Sequence, residues 1–420
     1  MNTGIMNKAT DNQSSSLIAL QQGISRLVAA PHRLLFFIGA SNVLLAMAWW
    51  CLWLVDARWQ LFGLTQPSMP AGWMHAIIMQ YSVLPSFIFG FLLTVFPRWL
   101  NLPALSQWHY VPIGLGLFGG QLLTLIGLFG YPHLLFLGLL QILAGWIAGL
   151  YFLIVLVFKA KQVNWHAISC VAALSFGLAG LLLIQAYSYS GTGDYMIAAI
   201  KIGSFGLLLP IYFTVCHRML PFFASCVLKD YLVYRPMWSL ALFWAMAVTH
   251  LALEIAHLNA WLWLSDSVLA LLSIHLLWRW WPRESVPPLM RVLLLGFAWL
   301  PIAMLLYSAQ SLCLLIADHF ILGRAPAHAL FIGFFGSLLV AMVTRVTQGH
   351  SGRPLELGKL AGFAFILIQV VALLRLYAEL SQEYLVWQSI TAFLWLCAFL
   401  PWVLRSAWIY LTPRADGQEG

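Results

Sequence analysis

The sequence is poor in charge. Of its 420 residues only 8% are Asp, Glu, Lys or Arg and 62% are hydrophobic, where a soluble domain carries about a quarter of its residues charged. No water-soluble fold hides that much apolar surface. Acidic residues are scarcer still, 13 against 21 Lys and Arg, for a net charge of +8. A basic excess in a soluble chain points to nucleic acid, but in a membrane chain it is loop charge retained on one face. Cysteine pairs are missing too. Cys51, Cys170, Cys216, Cys226, Cys313 and Cys397 lie in or beside apolar runs with no CxxC and no zinc spacing, and they read as buried thiols. The alternation of apolar and polar residues that a membrane-spanning β-barrel requires is absent from stretches such as Leu92-Leu93-Thr94-Val95-Phe96 and Leu153-Ile154-Val155-Leu156-Val157. Helices remain.

Apolar runs long enough to cross a hydrocarbon core about 30 Å thick recur along the whole chain. They predict an all-α, polytopic membrane bundle of about twelve helices, at 34–55, 73–96, 110–130, 133–158, 165–188, 194–223, 236–257, 260–278, 291–316, 327–347, 358–379 and 386–411. Residues 1–30, rich in Ser, Gln and Asn, read as a flexible cytoplasmic tail rather than a signal peptide. A single membrane domain then occupies 31–412, and 413–420 form a second cytoplasmic tail. No repeat divides the chain in two. Pro85, Pro210, Pro301 and Pro401 interrupt spans and predict kinks. With the amino terminus inside, the inner segments hold 17 of the 21 Lys and Arg, leaving Arg58, Arg324, Arg375 and Lys201. The positive-inside rule thus places both termini in the cytoplasm.

Titratable side chains at membrane depth are costly, and so mark functional candidates. His75 opens the second span and His328 the tenth, and both spans run from outside to inside. Their imidazoles fall at one depth near the outer face, where two readings stand: axial ligands of a six-coordinate haem b, or interfacial histidines that never meet. Ala327, Ala329, Gly333 and Gly336 would allow a flat ring to approach His328. His217 lies about 35 Å further down its own span, near the cytoplasmic face. There it joins Arg218, Arg345, His350 and Arg353 in a cationic cluster suited to an anion, haem propionates or lipid headgroups, or serving only as positive-inside anchors. His250, Glu254 and His257, at i, i+4 and i+7, share a helical face, a spacing that could hold copper or iron. Lys201 and Asp194 on the sixth span could pair, though a long amine near a helix end more often snorkels to water.

One stretch is specific. His328-Ala329-Leu330, then Gly333 and Gly336, then the run from Met342 through Arg345, Thr347, Gly349, His350 and Arg353 to Leu355 resembles the signature of the NnrS family. Further likenesses are Pro31-His32-Arg33, Gly90-Phe91-Leu92-Leu93-Thr94 with Pro97 and Trp99, Arg218-Met219-Leu220-Pro221-Phe222-Phe223, and Ala298-Trp299-Leu300-Pro301, covering about 30–375 in order. The resemblance implies a bacterial inner-membrane protein of the nitric oxide and nitrosative-stress response that contains haem and copper. The family commonly carries His-Ala-His-Glu-Met in its second span, whereas this chain reads His75-Ala76-Ile77-Ile78-Met79. A role that needs the second histidine and its acid is not supported here. The layout is also similar, more loosely, to the twelve-helix subunit of haem-copper oxidases and nitric oxide reductases, which holds a low-spin haem between its second and tenth helices. Pro326 stands where that superfamily has the high-spin haem ligand, so the usual reduction of oxygen or nitric oxide is not expected.

The leading expectation is therefore a membrane haem protein that senses, buffers or passes electrons in response to nitric oxide. Its partners would be lipids, nitric oxide or a respiratory-chain component, and not nucleic acid. The competing expectation is a transporter or channel for a small solute or metal, using Lys201, Gln80, Gln121, Gln141 and Gln185.

Overall fold

The computed structural model describes residues 21–417. Among these the chain is entirely helical, with twelve helices long and apolar enough to cross a membrane. They are α1 (Pro31–Trp59), α2 (Ala71–Trp99), α3 (Gln107–Gly127), α4 (Pro132–Lys159), α5 (Trp165–Ser190), α6 (Gly193–Ser225), α7 (Met237–Ile255), α8 (Asn259–Trp280), α9 (Pro288–Ala317), α10 (Ala325–His350), α11 (Lys359–Leu380) and α12 (Tyr384–Leu411). Residues 21–27, assigned by composition to a flexible tail, are helical. The first twenty residues of that tail, and the last three of the chain, lie outside the described residues. Of the cysteines, Cys51, Cys170 and Cys216 are buried as expected, whereas Cys226 is exposed because it lies just past the end of α6.

An even number of spans returns the chain to the face it started from. Arg26 donates from Nη1 to the Leu411 carbonyl at 3.4 Å, so the described ends meet at what is called here the termini face. Three runs of neighbouring helices build the bundle: α11, α12, α1 and α2; α3 to α6; and α7 to α10. The last member of each run, α2, α6 and α10, is also among the three most deeply buried spans.

Those three spans share a local departure from α geometry. Each contains a widened π-helical segment, at Met79–Val83, Ile202–Leu208 and Ala329–Gly336. Such segments loosen the main-chain ladder, and in a bilayer a freed carbonyl must find a protein partner. Pro85 shows how this works. It has no N–H to offer Tyr81, four residues earlier, and the Tyr81 carbonyl accepts instead from Trp146 Nε1 of α4 at 2.7 Å. From the same π segment, the Tyr81 hydroxyl donates to the Ala199 carbonyl at 2.5 Å and Gln80 Nε2 to the Ile200 carbonyl at 3.1 Å. These bonds tie α2 to the entrance of the π segment of α6. Pro210 likewise stands just beyond its own π segment, while Pro301 and Pro401 lie inside continuous helices.

The intramembrane glutamines of the transporter reading are mostly engaged in such joints. Gln121 donates to the Asn42 carbonyl at 2.7 Å and accepts from Ser82 at 2.6 Å, and Gln141 donates to the Leu115 carbonyl at 3.0 Å. Both nitrogen and oxygen of Gln185 lack a partner among the described residues. Elsewhere small residues set the spacing. A Cβ on Gly116 of α3 would lie 2.6 Å from the Gly145 Cα of α4, and one on Gly120 would lie 2.8 Å from the Gly138 carbonyl oxygen. Helices driven together by van der Waals contact rather than by water need such close approach.

Gly116→Val should therefore lose about 2 kcal/mol of stability by overpacking, whereas Gly72→Ala, which meets nothing within 4 Å, should be neutral or slightly stabilising. Trp146→Phe keeps the ring but orphans the Tyr81 carbonyl, for an expected cost of about 1–3 kcal/mol. Thermal unfolding of the purified variants in one detergent measures all three.

Candidate functional site

At the face opposite the termini, the first turns of α2 and α10 carry His75 and His328, each just ahead of a π segment. His75 stacks flat on Trp50 of α1, with centroids 4.4 Å apart and planes 7° apart, and Trp53 stacks on Trp50 with centroids 5.3 Å apart. His328 Nδ1 bonds to the Arg324 carbonyl at 2.9 Å. A carbonyl can only accept, so Nδ1 carries the proton and Nε2 is left with its lone pair. The two imidazoles are close enough to interact electrostatically, though no ring contact joins them among the described residues. Arg324 and Arg375 both lie within electrostatic reach of the pair. Arg375 forms an ion pair with Glu379 at 2.6 Å, and the other Glu379 oxygen accepts from the Arg324 main-chain N–H at 3.0 Å.

A second group lies between α6, α7 and α8. Lys201 Nζ meets Glu254 Oε1 at 2.5 Å, Glu254 Oε2 lies 3.4 Å from His250 Nε2, and His250 Nδ1 lies 2.6 Å from Asp266 Oδ1. Phe205, in the π segment of α6, stacks on the imidazole with centroids 3.4 Å apart, and Tyr307 of α9 meets its edge. His250 and Asp266 are fully buried and Lys201 is partly exposed. Lys201 thus turns to Glu254 rather than to Asp194 or simply to water. Of the expected metal set, His250 and Glu254 do come together. His257 does not join them: it sits exposed in the turn after α7 with φ of +58°. No group of three or more His, Cys, Asp or Glu is disposed to hold a metal ion among the described residues. Asp266 was not singled out in the sequence because a lone acid sixteen residues from His250 leaves no helical signature.

The expected cationic cluster at the termini face does not gather round one point: His217 and Arg218 both border His166, and Arg345, His350 and Arg353 have other partners. Arg218 lies over the Trp99 ring at 4.4 Å, and Arg345 over Phe223 at 3.9 Å. His217 is buried against His166 of α5, with Nδ1 and Nε2 3.0 Å apart, and its other nitrogen faces Ser239 at 2.9 Å. Arg353 lies over the Trp408 ring at 5.3 Å, and His350 has a neighbour the sequence does not indicate. The His350 ring packs on that of His32 from α1, centroids 4.5 Å apart. Arg33 and Arg98 lie around this pair. Arg414 is also there, held above the ordinary arginine range by its hydrogen bonds to Asp416.

Between the two faces, α1, α2, α6 and α10 line a half-open apolar cavity of about 70 Å³. Phe36, Phe87, Tyr212, Cys216, Met342 and Val346 are among its walls. It has room for a few atoms and none for a porphyrin.

The buried ionic chain makes a sharp test of folding energetics. Glu254→Ala takes one partner from the buried His250, which keeps Asp266, while Lys201 reaches solvent, and should cost about 1–3 kcal/mol. Arg58→Ala breaks only the solvated pair with Glu383, at 3.4 Å, and should leave the melting temperature unchanged. Thermal unfolding in detergent separates the two.

Among curated proteins, none matches this chain. The family model described as NnrS protein matches residues 26–414, a stretch that contains all twelve spans with the π segments and histidine pairs they carry. The chain belongs to the NnrS family.

Proposed function

We propose that this chain is a membrane haem protein of the nitric oxide response, with His75 and His328 as the axial pair. One observation carries the reading. Two imidazoles stand in the first turns of separate spans that run the same way, and the Arg324 carbonyl fixes the tautomer of one so that its Nε2 keeps a lone pair. A neutral imidazole oriented by a hydrogen bond at its other nitrogen suits a haem iron. A low-spin haem held there would exchange single electrons.

The chain's own residues supply the setting. Trp50 fixes the plane of His75 by stacking, so that the ring loses little freedom when it takes a ligand. Arg324 and Arg375 supply positive charge for acidic groups at the rim of such a ligand, and Glu379 holds both of these residues in place. The central apolar cavity would admit a small neutral gas such as nitric oxide, which needs no hydrogen bonds. The chain is a multi-pass membrane protein; the distribution of Lys and Arg favours cytoplasmic termini, and the family resemblance implies a bacterial inner membrane. Copper, which the resemblance implies, finds no group of three or more donors among the described residues, and Pro326 stands in the place of a second haem's ligand.

The test is the absorption spectrum of the protein purified from haem-supplied cells. Sharp α and β bands should appear on reduction and be lost in both His75→Ala and His328→Ala, while the variants still run as monodisperse protein. A colourless wild type, or bands untouched by either substitution, refutes the axial pair.

A further inference from the structure

Four ionisable side chains meet between α6, α7 and α8 in an order that leaves their charges unequal. Lys201, at the end of the first α-helical stretch of α6, pairs with Glu254 Oε1 at 2.5 Å, and Asp266 Oδ1 of α8 lies 2.6 Å from His250 Nδ1. Glu254 Oε2 comes within 3.4 Å of His250 Nε2, though the two are not aligned as a hydrogen bond. The side chains of His250 and Asp266 are wholly buried and that of Glu254 is 4% exposed, whereas Lys201 is 36% exposed. The imidazole is thus faced by Glu254 from its own helix, by Asp266 from α8, by Lys201 from α6 through Glu254, and by Tyr307 from α9, whose ring meets its edge. Phe205 covers one of its faces.

Two carboxylates against one ammonium leave one negative charge over, in a place where a charge without a counter-charge is strongly destabilising. Something must supply one positive charge. Water can satisfy Asp266 Oδ2, Glu254 Oε2 and His250 Nε2, which lack hydrogen-bond partners among the described residues, but it brings no charge. A metal cation brings charge, yet Lys201 already holds Glu254, and no three donors are disposed around one point among the described residues. A proton brings the charge and needs no room. The imidazole is where it belongs. With a carboxylate oxygen towards each ring nitrogen, both nitrogens are called on to carry hydrogen, and only the imidazolium has two N–H groups. The Phe205 ring, stacked with centroids 3.4 Å apart, suits a delocalised cation.

We infer that Lys201, Glu254, His250 and Asp266 form a proton-binding site, its one proton carried on His250 and exchanged with the outside through Glu254 and the exposed Lys201 end. Glu254 is the link because its two oxygens face different neighbours. A proton leaving His250 Nε2 passes to Glu254 Oε2, and from that carboxyl to water around Lys201 Nζ. The imidazole is then neutral, keeping its Nδ1 hydrogen for Asp266, and the reverse sequence reloads it. Occupancy follows charge, so that a charge added to or taken from the chain moves one proton in or out. The assignment does not require a haem between His75 and His328.

Infrared spectra of the full chain in a neutral detergent, at neutral pH in light and in heavy water, show which group holds the proton. In the wild type Glu254 and Asp266 should both be ionised. His250→Gln removes the cation and strands Asp266, so a carboxylic-acid carbonyl band should appear, and it should vanish again in His250→Gln with Asp266→Asn. Lys201→Met strands Glu254 instead, and its new band should vanish in Lys201→Met with Glu254→Gln. Each double variant restores equal charges, which a merely structural set of hydrogen bonds does not require. Every new band should shift in heavy water, because the site exchanges. If His250→Gln does not fold, Lys201→Met, at the exposed end, carries the test. Absence of the band from a folded single variant, a wild-type carboxylic-acid band that Asp266→Asn removes, or a band that does not shift in heavy water overturns the assignment.

Discussion

The Trp146 indole and the Tyr81 carbonyl make one hydrogen bond, 2.7 Å long, on which much of the interior rests. Without water in the hydrocarbon, a proline can enter a span only if a neighbour takes up the carbonyl it releases. Trp146 does so from α4, and by doing so it fixes α2 against the second run of helices. The adjacent Gln80 and Tyr81 side chains carry the same logic on to α6. On α10, Gln369 of α11 plays a comparable part, donating to Ser337 at 2.7 Å while accepting from Trp299 at 2.6 Å. The irregular segments of the three central spans are thus held by side chains aimed at them, and their neighbours His75, Lys201 and His328 are placed by the same joints. In α6 the π segment also brings Phe205 flat against His250.

Polar groups in the bundle fall into two kinds on this view. Those that close the main chain or one another, such as Gln121, Asn42 and Ser82, are structural however conspicuous they are at membrane depth. Among the described residues, those left with a ring nitrogen unspent lie at the two ends, at His328 on one face and at His32 and His350 on the other. The Lys201 to Asp266 chain stands between, with its charges largely cancelled and one end open to solvent. Stability is invested in the middle and chemistry is available at the rims.

The spans were legible in the sequence to within four residues at either end, because each is a long apolar run and the bilayer demands a minimum length. Depth was legible too. Because α2, α6 and α10 run the same way, His75 and His328 stand in first turns and His217 near the end of its span. Lateral neighbours were not legible. His350 was grouped with Arg218, Arg345 and His217 by depth alone, but depth does not say which helices touch, and its actual partner His32 lies on α1, 318 positions away in the chain. The same blindness hid Asp266 from His250 and His166 from His217. The i, i+7 spacing of His257 failed for a different reason: the helix ends at Ile255, and a left-handed residue turns the chain away before the face can be completed.

Contact between α1 and α12 closes the bundle into a ring, with Arg26 against Leu411 at the seam. The order in which the chain visits the twelve positions is then a matter of where the ring is cut. A bridge from the end of α12 to the start of α1, with new ends in the link at 160–164 between α4 and α5, keeps every helix pointing as it does now, since that link lies on the termini face. Such a circularly permuted chain would bring α5 into the membrane first and α4 last, and so separate the demands of insertion order from those of the finished architecture.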